Sequence, residues 1–242
     1  MPISKETLQK LTQYDTPTIC NAIELFEFQP ATAGFMDGRI RSVFPELPPM
    51  VGFACTAAFR SSAPPSGADA YGSLPQQLEK FAGLSGPAVM VFQDLDDPPV
   101  AATFGEVMCT AYKTFGSAGL VTSGGGRDLL QVRALNYPVF TGSTICAHGY
   151  CHILQIGSTV RVGGLTVNHG DLLHGDANGV TKIPLEIANE VPDVAAEVII
   201  GEKVVLDYMR GSGPKTVEGA REVYKEVAVV FQKLRERVRK RR

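Results

Sequence analysis

The sequence predicts an α/β fold, because short apolar runs that end at glycines alternate with helical patterns. Pro87 to Phe92 forms one such run, and a helical pattern begins later at Gly105 and Glu106. Ala118 to Val121 forms a second run before a glycine-rich turn, and Asp128 to Leu135 follows with apolar residues at helical spacing. Such runs predict buried strands, and the spacing predicts helices. The chain therefore passes from strand to glycine-rich turn to helix twice in succession.

Two helices are predicted at the amino terminus. Lys5 to Leu11 has a helical pattern, and residues 15–18 indicate a new helix start, with Thr16 as the capping residue and Pro17 in the first turn. Residues 28–49 are rich in proline and glycine and are predicted to be irregular. The segments that follow are predicted as a strand (Val51 to Phe59), a loop (Ser61 to Gly72) and a helix (Leu74 to Phe81).

Beyond the central unit the predicted elements are short strands joined by turns. The strands cover Pro138 to Phe140, Ser158 to Val162, Leu165 to Asn168 and Val180 to Ile183. Gly163 and Gly164 indicate a hairpin between the second and third of these strands. Residues 169–176 are predicted to form turns, and Leu185 to Ile200 is predicted to be a helix.

A long amphipathic helix is predicted from Thr216, because apolar residues recur on one face as far as Val238. That face is rich in Val and Ala, which favours packing or an oligomer contact over membrane association. Residues 233–242 contain seven Lys or Arg and one Glu, and residues 239–242 are expected to fray. We therefore predict a single α/β domain at 1–210 and a C-terminal helix with a basic tail at 211–242.

Composition narrows the functional class. The 242 residues, 44% hydrophobic and 20% charged, are enough for a domain with a sizeable core. No apolar run approaches the roughly 20 residues of a membrane span, and the N-terminus lacks the pattern of a secretory signal. The five scattered cysteines favour a reduced, cytoplasmic setting. Because the basic tail leaves the rest of the chain acidic, the balance argues against a nucleic-acid-binding domain.

The segment from Gly105 to Asp128 carries the predicted chemistry. The first N–H groups of a helix are unpaired and attract anions, and glycines allow an anion to approach them. Arg127 adds a cation suited to a carboxylate, while Glu106 and Asp128 offer oxygen ligands for a hard divalent metal. The pattern predicts a small anionic ligand beside a metal, although an ordinary α/β turn with a surface ion pair is an alternative. It lacks the spacing of a P-loop or a dinucleotide fingerprint.

Other chemistry receives weaker support. Cys146, His148, Cys151 and His152 could hold zinc, but they lack a C-x-x-C pair, and buried or turn-forming roles are favoured. A Cys–His nucleophile is possible in principle, yet no thiol is singled out. Lys182 is the one strand-placed lysine that a Schiff-base aldolase could use, and no (β/α)8 pattern surrounds it.

Glu106 is followed by twenty residues and then by Arg127-Asp128. This spacing resembles that of the RraA-like family, which includes the 4-hydroxy-4-methyl-2-oxoglutarate and 4-carboxy-4-hydroxy-2-oxoadipate aldolases. The resemblance covers roughly residues 12–185. Further similar positions are Asp15-Thr16, Pro138-Val139-Phe140, Gly163-Gly164, His169-Gly170-Asp171-Leu172, Gly175-Asp176 and Gly179-Val180.

The resemblance implies a swivelling α/β/β domain, here with N-terminal helices and a long C-terminal helix, assembled as a homotrimer or a hexamer. It also implies Mg²⁺ or Mn²⁺ as cofactor and no Schiff base. The amides of Gly105, Glu106, Val107 and Met108 would bind the carboxylate of pyruvate. Arg127 would contact the keto or enolate oxygen, Asp128 would ligate the metal, and Glu106 would orient a metal-bound water.

The sequence departs from the family pattern at several positions. Glu106 stands where the aldolases usually have Asp, and His169 replaces a common Pro. Residues 141–152 do not match the usual region after the Pro-Val-Phe strand, so the distal half of the substrate is expected to differ.

The resemblance implies a metal-dependent, class II-type pyruvate aldolase or oxaloacetate decarboxylase-like lyase. Its partner would be a small 2-oxo acid, with no nucleic acid and no membrane. The alternative is a non-enzymatic RraA-type regulator that binds another protein.

Overall fold

The computed structural model describes residues 2–64, 66 and 73–240. Within these residues the helices are α1 (Lys5–Leu11), α2 (Thr16–Leu25), α3 (Leu74–Phe81), α4 (Glu106–Thr114), α5 (Leu129–Ala134), α6 (Val191–Arg210) and α7 (Val217–Lys240). The strands of the first half are β1 (Arg41–Ser42), β2 (Met50–Arg60), β3 (Ala88–Asp94), β4 (Ala102–Phe104), β5 (Ser117–Thr122) and β6 (Gly125–Gly126). Those of the second half are β7 (Val139–Thr141), β8 (Ser143–Thr144), β9 (His152–Leu154), β10 (Val160–Val162), β11 (Leu165–Val167), β12 (Leu172–Asp176) and β13 (Gly179–Ile183).

The main sheet has the strand order β1-β7-β5-β3-β2-β12-β13, with β9 paired to β2. Strands β2, β3, β5 and β7 are parallel to one another, while β12 and β13 continue the sheet antiparallel. The parallel strands are buried along most of their length, which explains their near-continuous apolar sequences. The predicted α/β class, with N-terminal helices and a long C-terminal helix, is confirmed.

A second sheet places the central segment. Strands β4, β6 and β8 pair in parallel, and Phe104 lies opposite Gly126. Helices α4 and α5 start directly after β4 and β6, so the two helix starts are neighbours, as the sequence predicted. The prediction that α4 follows the strand at 87–92 misses the short strand β4, which is too brief to leave a periodic pattern.

Two predicted boundaries are wrong. The N-cap of α2 is Asp15, whose Oδ1 accepts the Thr18 amide at 2.8 Å, whereas Thr16 is the first helical residue. The helix predicted at 185–200 begins only at Val191 and extends to Arg210. Turns precede it, and Pro192 lies in its first turn, where proline is tolerated because the amide has no helical partner.

The turn prediction at residues 169–176 is also wrong in part, because the last five of these residues form the buried strand β12. The loop predicted at Ser61 to Gly72 falls partly outside the described residues, at 65 and 67–72. The predicted hairpin at Gly163 and Gly164 is present, with β10 and β11 antiparallel and both glycines at positive φ.

Helix α7 packs against its own chain. Leu234 and Val238 join a core cluster with residues of α2 and α6, and Phe231 packs against that cluster. Arg239 forms an ion pair with Glu27. The helix therefore includes residues 239 and 240, which were expected to fray, while 241 and 242 lie outside the described residues. Among the described helices, none combines the length and apolar character that crossing a membrane requires.

Candidate functional site

A small cleft lies where α4 and α5 begin, and we call it the α4/α5 cleft. Its enclosed part has a volume of only about 10 Å³, roughly the room that one water molecule needs, so a larger ligand would reach the lining groups from the solvent side. Its lining contains most of the predicted site residues together with two residues of the His/Cys-rich segment. These residues are Ala102, Thr103, Phe104, Gly105, Val107, Met108, Arg127, Asp128, His148 and Cys151.

Gly105 allows the two helix starts to approach closely. A Cβ atom at this position would lie 2.6 Å from Asp128 Oδ2 and 3.1 Å from Arg127 Nε. The absence of a side chain leaves room for Asp128 Oδ2 to accept the amide of Glu106 at 3.0 Å. The carboxylate therefore caps α4 at the positive end of the helix dipole, where a negative charge is stabilised.

The backbone holds Arg127 and Asp128 in place. The Arg127 amide donates to Phe104 O at 3.1 Å, and the Val132 amide donates to Asp128 O at 2.9 Å. Asp128 itself has φ 54° and ψ 39°, in the left-handed region that Asp tolerates better than most residues. Strained backbone of this kind is common at functional sites, where the surrounding structure maintains it.

The charges in the cleft are only partly neutralised. Arg127 Nε lies 3.8 Å from Asp128 Oδ2, and the two side chains are 25% and 38% exposed. Within the described residues, the hydrogen bonds of the Asp128 carboxylate involve Oδ2 alone. Both groups can therefore contact a ligand from solvent.

The structure brings together five of the predicted site residues, namely Gly105, Val107, Met108, Arg127 and Asp128. Glu106 differs from them, because its side chain is exposed and does not line the cleft. Its amide already donates to Asp128. The helix-start amides left for a carboxylate are those of Val107 and Met108.

The donor set of the cleft fits a hard divalent cation better than zinc. Among the described residues, no group of three His, Cys, Asp or Glu side chains could hold a metal, so Cys146, His148, Cys151 and His152 do not form a closed zinc site. Mg²⁺ needs less from the protein, because it usually keeps several waters and is bound through one or two carboxylates. Asp128 offers one such carboxylate.

The segment between β8 and β9 forms one wall of the cleft. The Ile145 amide donates to Gly126 O at 3.0 Å, the Ala102 amide to Ala147 O at 2.8 Å, and the Tyr150 amide to Ser61 O at 3.1 Å. Gly149 has φ +53°, and a Cβ there would lie 2.8 Å from Ser61 O. These contacts fix the backbone on both sides of His148. The sequence singled out this residue only as a possible zinc ligand.

Two buried cysteines, Cys55 and Cys109, and Lys182 are unsuited to nucleophilic catalysis in the cleft. Burial, and secondarily the charge of Asp128, raises the pKa of the Cys109 thiol, and burial raises the pKa of Cys55 to about 12. A thiol with a raised pKa is a poor nucleophile because the thiolate is the reactive form. Lys182 donates to Asp171 Oδ2 at 3.0 Å and to Thr166 O at 3.1 Å, and it does not line the cleft.

A buried carboxyl group lies at the end of β3 and was not predicted from the sequence. Asp94 is 8% exposed, and its Oδ2 has no hydrogen-bond partner among the described residues. Burial raises the pKa of Asp94 to about 6, outweighing the lowering effect of the hydrogen bond that its carboxylate accepts from the Asp96 amide. It borders a groove of about 900 Å³ that Arg39, Arg41 and Arg161 also line. The acidic run at 94–97 was the only available signal, and such runs are usually solvated.

Comparison with known proteins relates this fold and cleft to a family. The family model described as "RraA-like: Aldolase/RraA" matches residues 16–181. A relative from Halalkalibacterium halodurans, named "Putative 4-hydroxy-4-methyl-2-oxoglutarate aldolase", is 37% identical over 101 residues, which are 41% of this chain and 48% of that protein. The chain thus matches about half the length of this curated relative.

Two solved structures have the same fold. An uncharacterized protein from Pseudomonas syringae has a TM-score of 0.71 at 22% identity, covering 93% of this chain and 96% of that one. Streptomyces coelicolor RraAS2, described as an unusual member of the RNase ES inhibitor RraA family, has a TM-score of 0.66 at 22% identity, covering 83% and 95%. With the family match spanning most of the chain and including the cleft, this protein belongs to the RraA-like family.

Proposed function

We propose that the protein is a divalent-metal-dependent lyase that cleaves a 4-hydroxy-2-oxo acid to pyruvate, decarboxylates oxaloacetate, or does both. The observation that carries the proposal is the meeting of the α4 start, Arg127 and Asp128 in one cleft. Unpaired amides, a guanidinium and a carboxylate are the groups that an anionic 2-oxo acid and a hard cation require. The name of the Halalkalibacterium relative supports the same reaction class.

Each group of the cleft has a role in this proposal. The amides of Val107 and Met108 bind the substrate carboxylate at the positive end of α4. Asp128 holds Mg²⁺ or Mn²⁺, which when bound supplies Lewis-acid polarisation of the 2-oxo group. Arg127 donates hydrogen bonds to the oxygen on which negative charge develops. Glu106 has an exposed side chain, and we propose that it orients water at the mouth of the cleft.

Both proposed reactions depend on Arg127 for the same reason. Retro-aldol cleavage and decarboxylation each break the C3–C4 bond and leave its electron pair on the enolate of pyruvate. A donor aimed at developing charge lowers the barrier more than one aimed at the ground state. The planar guanidinium, whose charge persists at all physiological pH values, suits this task.

The test is pyruvate release over a panel of 2-oxo acids, with and without Mg²⁺ or Mn²⁺. Asp128→Asn keeps the shape of the side chain but removes its charge, so we expect activity to require much higher metal concentrations. Asp207→Asn, at an exposed position of α6, serves as the matched control and should titrate like wild type. Pyruvate release that does not depend on added metal, or an Asp128→Asn enzyme with unchanged metal dependence, would contradict the proposed metal site.

We further propose that the protein forms a homo-oligomer, a trimer or a hexamer. Part of the apolar face of α7 packs within the chain, but large apolar side chains on α6 and α7 remain exposed, among them Ile200, Val217 and Tyr224. Exposed apolar surface of this extent favours a protein contact. Sedimentation should give a mass well above the 25.9 kDa of one chain. An RraA-type regulator would use such a surface for another protein, and that function remains the alternative if no 2-oxo acid is turned over.

A further inference from the structure

His148 is held beside the α4/α5 cleft in a defined tautomer. Its Nδ1 lies 2.8 Å from the carbonyl oxygen of Gly149. Because a carbonyl oxygen can only accept, Nδ1 carries the proton, and in the neutral ring Nε2 is therefore the acceptor. Within the described residues Nε2 makes no hydrogen bond, so its lone pair is available to a molecule bound in the cleft.

Other groups in the cleft are less suited to accept a proton. Arg127 remains charged and cannot act as a base. The carboxylate of Asp128 already accepts the Glu106 amide, and the proposed function assigns it to the metal. The Glu106 side chain does not line the cleft. Cys151 also lines the cleft, but it is buried, and a thiol is ordinarily a poorer proton acceptor near neutral pH than an imidazole. His148 is thus the lining residue best suited to proton transfer near neutral pH.

We propose that His148 is the base of the retro-aldol reaction, an inference that rests on the proposed function. Nε2 takes the proton of the C4 hydroxyl, and the O–H electron pair forms the new C4 carbonyl. The C3–C4 bond breaks, and its pair passes to the pyruvate enolate beside Arg127. After the carbonyl fragment leaves, the imidazolium returns the proton to C3. Pyruvate forms, the ring is neutral again, and no other reactant is needed.

Decarboxylation of oxaloacetate provides an internal control. That substrate has no C4 hydroxyl, and its C3–C4 bond breaks with loss of CO₂, so no base is needed for bond cleavage. We expect His148→Gln to lower kcat for retro-aldol cleavage about 100-fold, within the range typical of a lost general base. Decarboxylation by the same variant should change less than about threefold, since the carboxylate, enolate and metal contacts remain.

The experiment compares wild type, His148→Gln, His148→Ala and the matched control His152→Gln on both substrate classes. His152 lies on β9 and does not line the cleft, so its variant should behave like wild type. Added imidazole should restore part of the cleavage activity of His148→Ala. It should leave the cleavage activity of wild type unchanged. Thermal melting of each variant verifies folding, which the exposed position of His148 should leave intact.

The outcomes separate this inference from the proposed function. If His148→Gln cleaves as fast as wild type, or if it loses cleavage and decarboxylation equally, His148 is not the base. If wild type decarboxylates but never cleaves a 4-hydroxy-2-oxo acid, the inference fails while the lyase proposal survives in its decarboxylase form. If wild type catalyses neither cleavage nor decarboxylation at any metal concentration, both the proposed function and the inference about His148 are wrong.

Discussion

Two histidines of this chain occupy contrasting environments. His148 is exposed at the cleft, with Nδ1 bonded to its own segment and Nε2 available. His174 on β12 is 0% exposed, and both of its nitrogens are bonded: Nε2 to Leu11 O at 3.1 Å and Nδ1 to Thr16 Oγ1 at 3.0 Å. The bond to a carbonyl places the proton of His174 on Nε2, the opposite tautomer to that of His148. One ring can exchange a proton with a ligand, and the other cannot.

The difference extends to the surroundings of each residue. Around His174, the Thr16 amide donates to Asp176 Oδ2 at 2.9 Å, and the Asn178 amide donates to Asp176 Oδ1 at 2.8 Å. This buried network connects the start of α2 to β12. The cleft, in contrast, contains Asp128 Oδ1 and His148 Nε2, which make no hydrogen bond among the described residues. Polar groups that are fully bonded stabilise the fold, whereas those with remaining capacity are available to a ligand.

The largest expected effect lies in the cleft. Arg127→Ala removes a donor aimed at charge that develops during reaction, and such losses typically lower kcat on the order of 100-fold to 1,000-fold. Arg127→Lys should recover little, because an ammonium group cannot reproduce the planar fork. Arg133→Ala on α5, where the side chain pairs with Glu46, is the control. Steady-state kinetics at saturating metal measure the effect; a kcat within threefold of wild type for Arg127→Ala would remove this residue from the mechanism.

The next effect should fall on folding rather than on chemistry. His174→Ala creates a cavity and removes the partner of the Thr16 hydroxyl, while Leu11 O keeps only the Tyr14 amide, so we expect the free energy of unfolding to fall by about 3 kcal/mol. His148→Ala, at an exposed position, should change it by less than about 0.5 kcal/mol. Urea denaturation of both variants checks the comparison. Equal losses would mean that the two environments are not as different as the contacts indicate.

The buried histidine also predicts a pH dependence of stability. Burial lowers the pKa of His174 from its ordinary value of 6.5, outweighing the opposing influence of Leu11, Tyr14, Asp176 and Asp15. As pH falls through 6.5, the unfolded chain takes up a proton that the folded protein does not, so stability is lost toward acid and regained above 6.5.

His174→Gln cannot titrate, and its unfolding free energy should lack this contribution. Asp94 acts with the opposite sign, because its raised pKa of about 6 makes stability fall as pH rises toward 6. The difference between wild type and His174→Gln isolates the histidine. Denaturation at a series of pH values from 5 to 8 should show the two curves diverging toward acid, and parallel curves would contradict the prediction.

The sequence predicted those features that depend on neighbouring residues. Helices α1 and α3 were placed at their observed bounds, and the spacing of Glu106 from Arg127-Asp128 carried the resemblance to the family whose model matches the chain. Strand β12 was not predicted, because its polar residues His174 and Asp176 are buried through hydrogen bonds to the start of α2, which the local pattern does not show. Asp176 and the Thr16 amide that it binds are 160 positions apart. Sequence pattern reports local periodicity, whereas the partners that satisfy a buried polar group come from distant parts of the chain.

The position of His148 escaped prediction for a related reason. Its segment is anchored through Ile145, Ala147 and Tyr150 to residues of β6, β4 and the loop after β2. None of these contacts can be predicted from the local sequence pattern. The sequence could name the metal-capable side chains of this segment, but it could not tell that His148 and Cys151 line the cleft whereas Cys146 and His152 do not.

The smallest expected effect concerns the C-terminal end, which lies neither in the α4/α5 cleft nor in the buried network around His174. Truncation after Val238 removes the Arg239–Glu27 ion pair, whose side chains are 50% and 48% exposed. Exposed pairs contribute from nothing to about 1 kcal/mol, and Arg235 remains 3.6 Å from Glu27. Val238 itself stays in the core cluster with α2 and α6. We therefore expect the unfolding free energy to change by less than about 1 kcal/mol.

Catalysis should be affected still less, because no residue of α7 lines the cleft. The ratio kcat/KM for pyruvate release should stay within about twofold of wild type. A tenfold loss corresponds to about 1.4 kcal/mol of transition-state stabilisation, more than the exposed last turn of a helix outside the cleft should supply. Such a loss would indicate that the tail of one subunit contacts the α4/α5 cleft of a neighbouring subunit in the proposed oligomer. Glu27→Gln in the full-length chain removes the ion pair within the chain but keeps the tail. Unchanged activity of this variant would assign the loss to the contact between subunits.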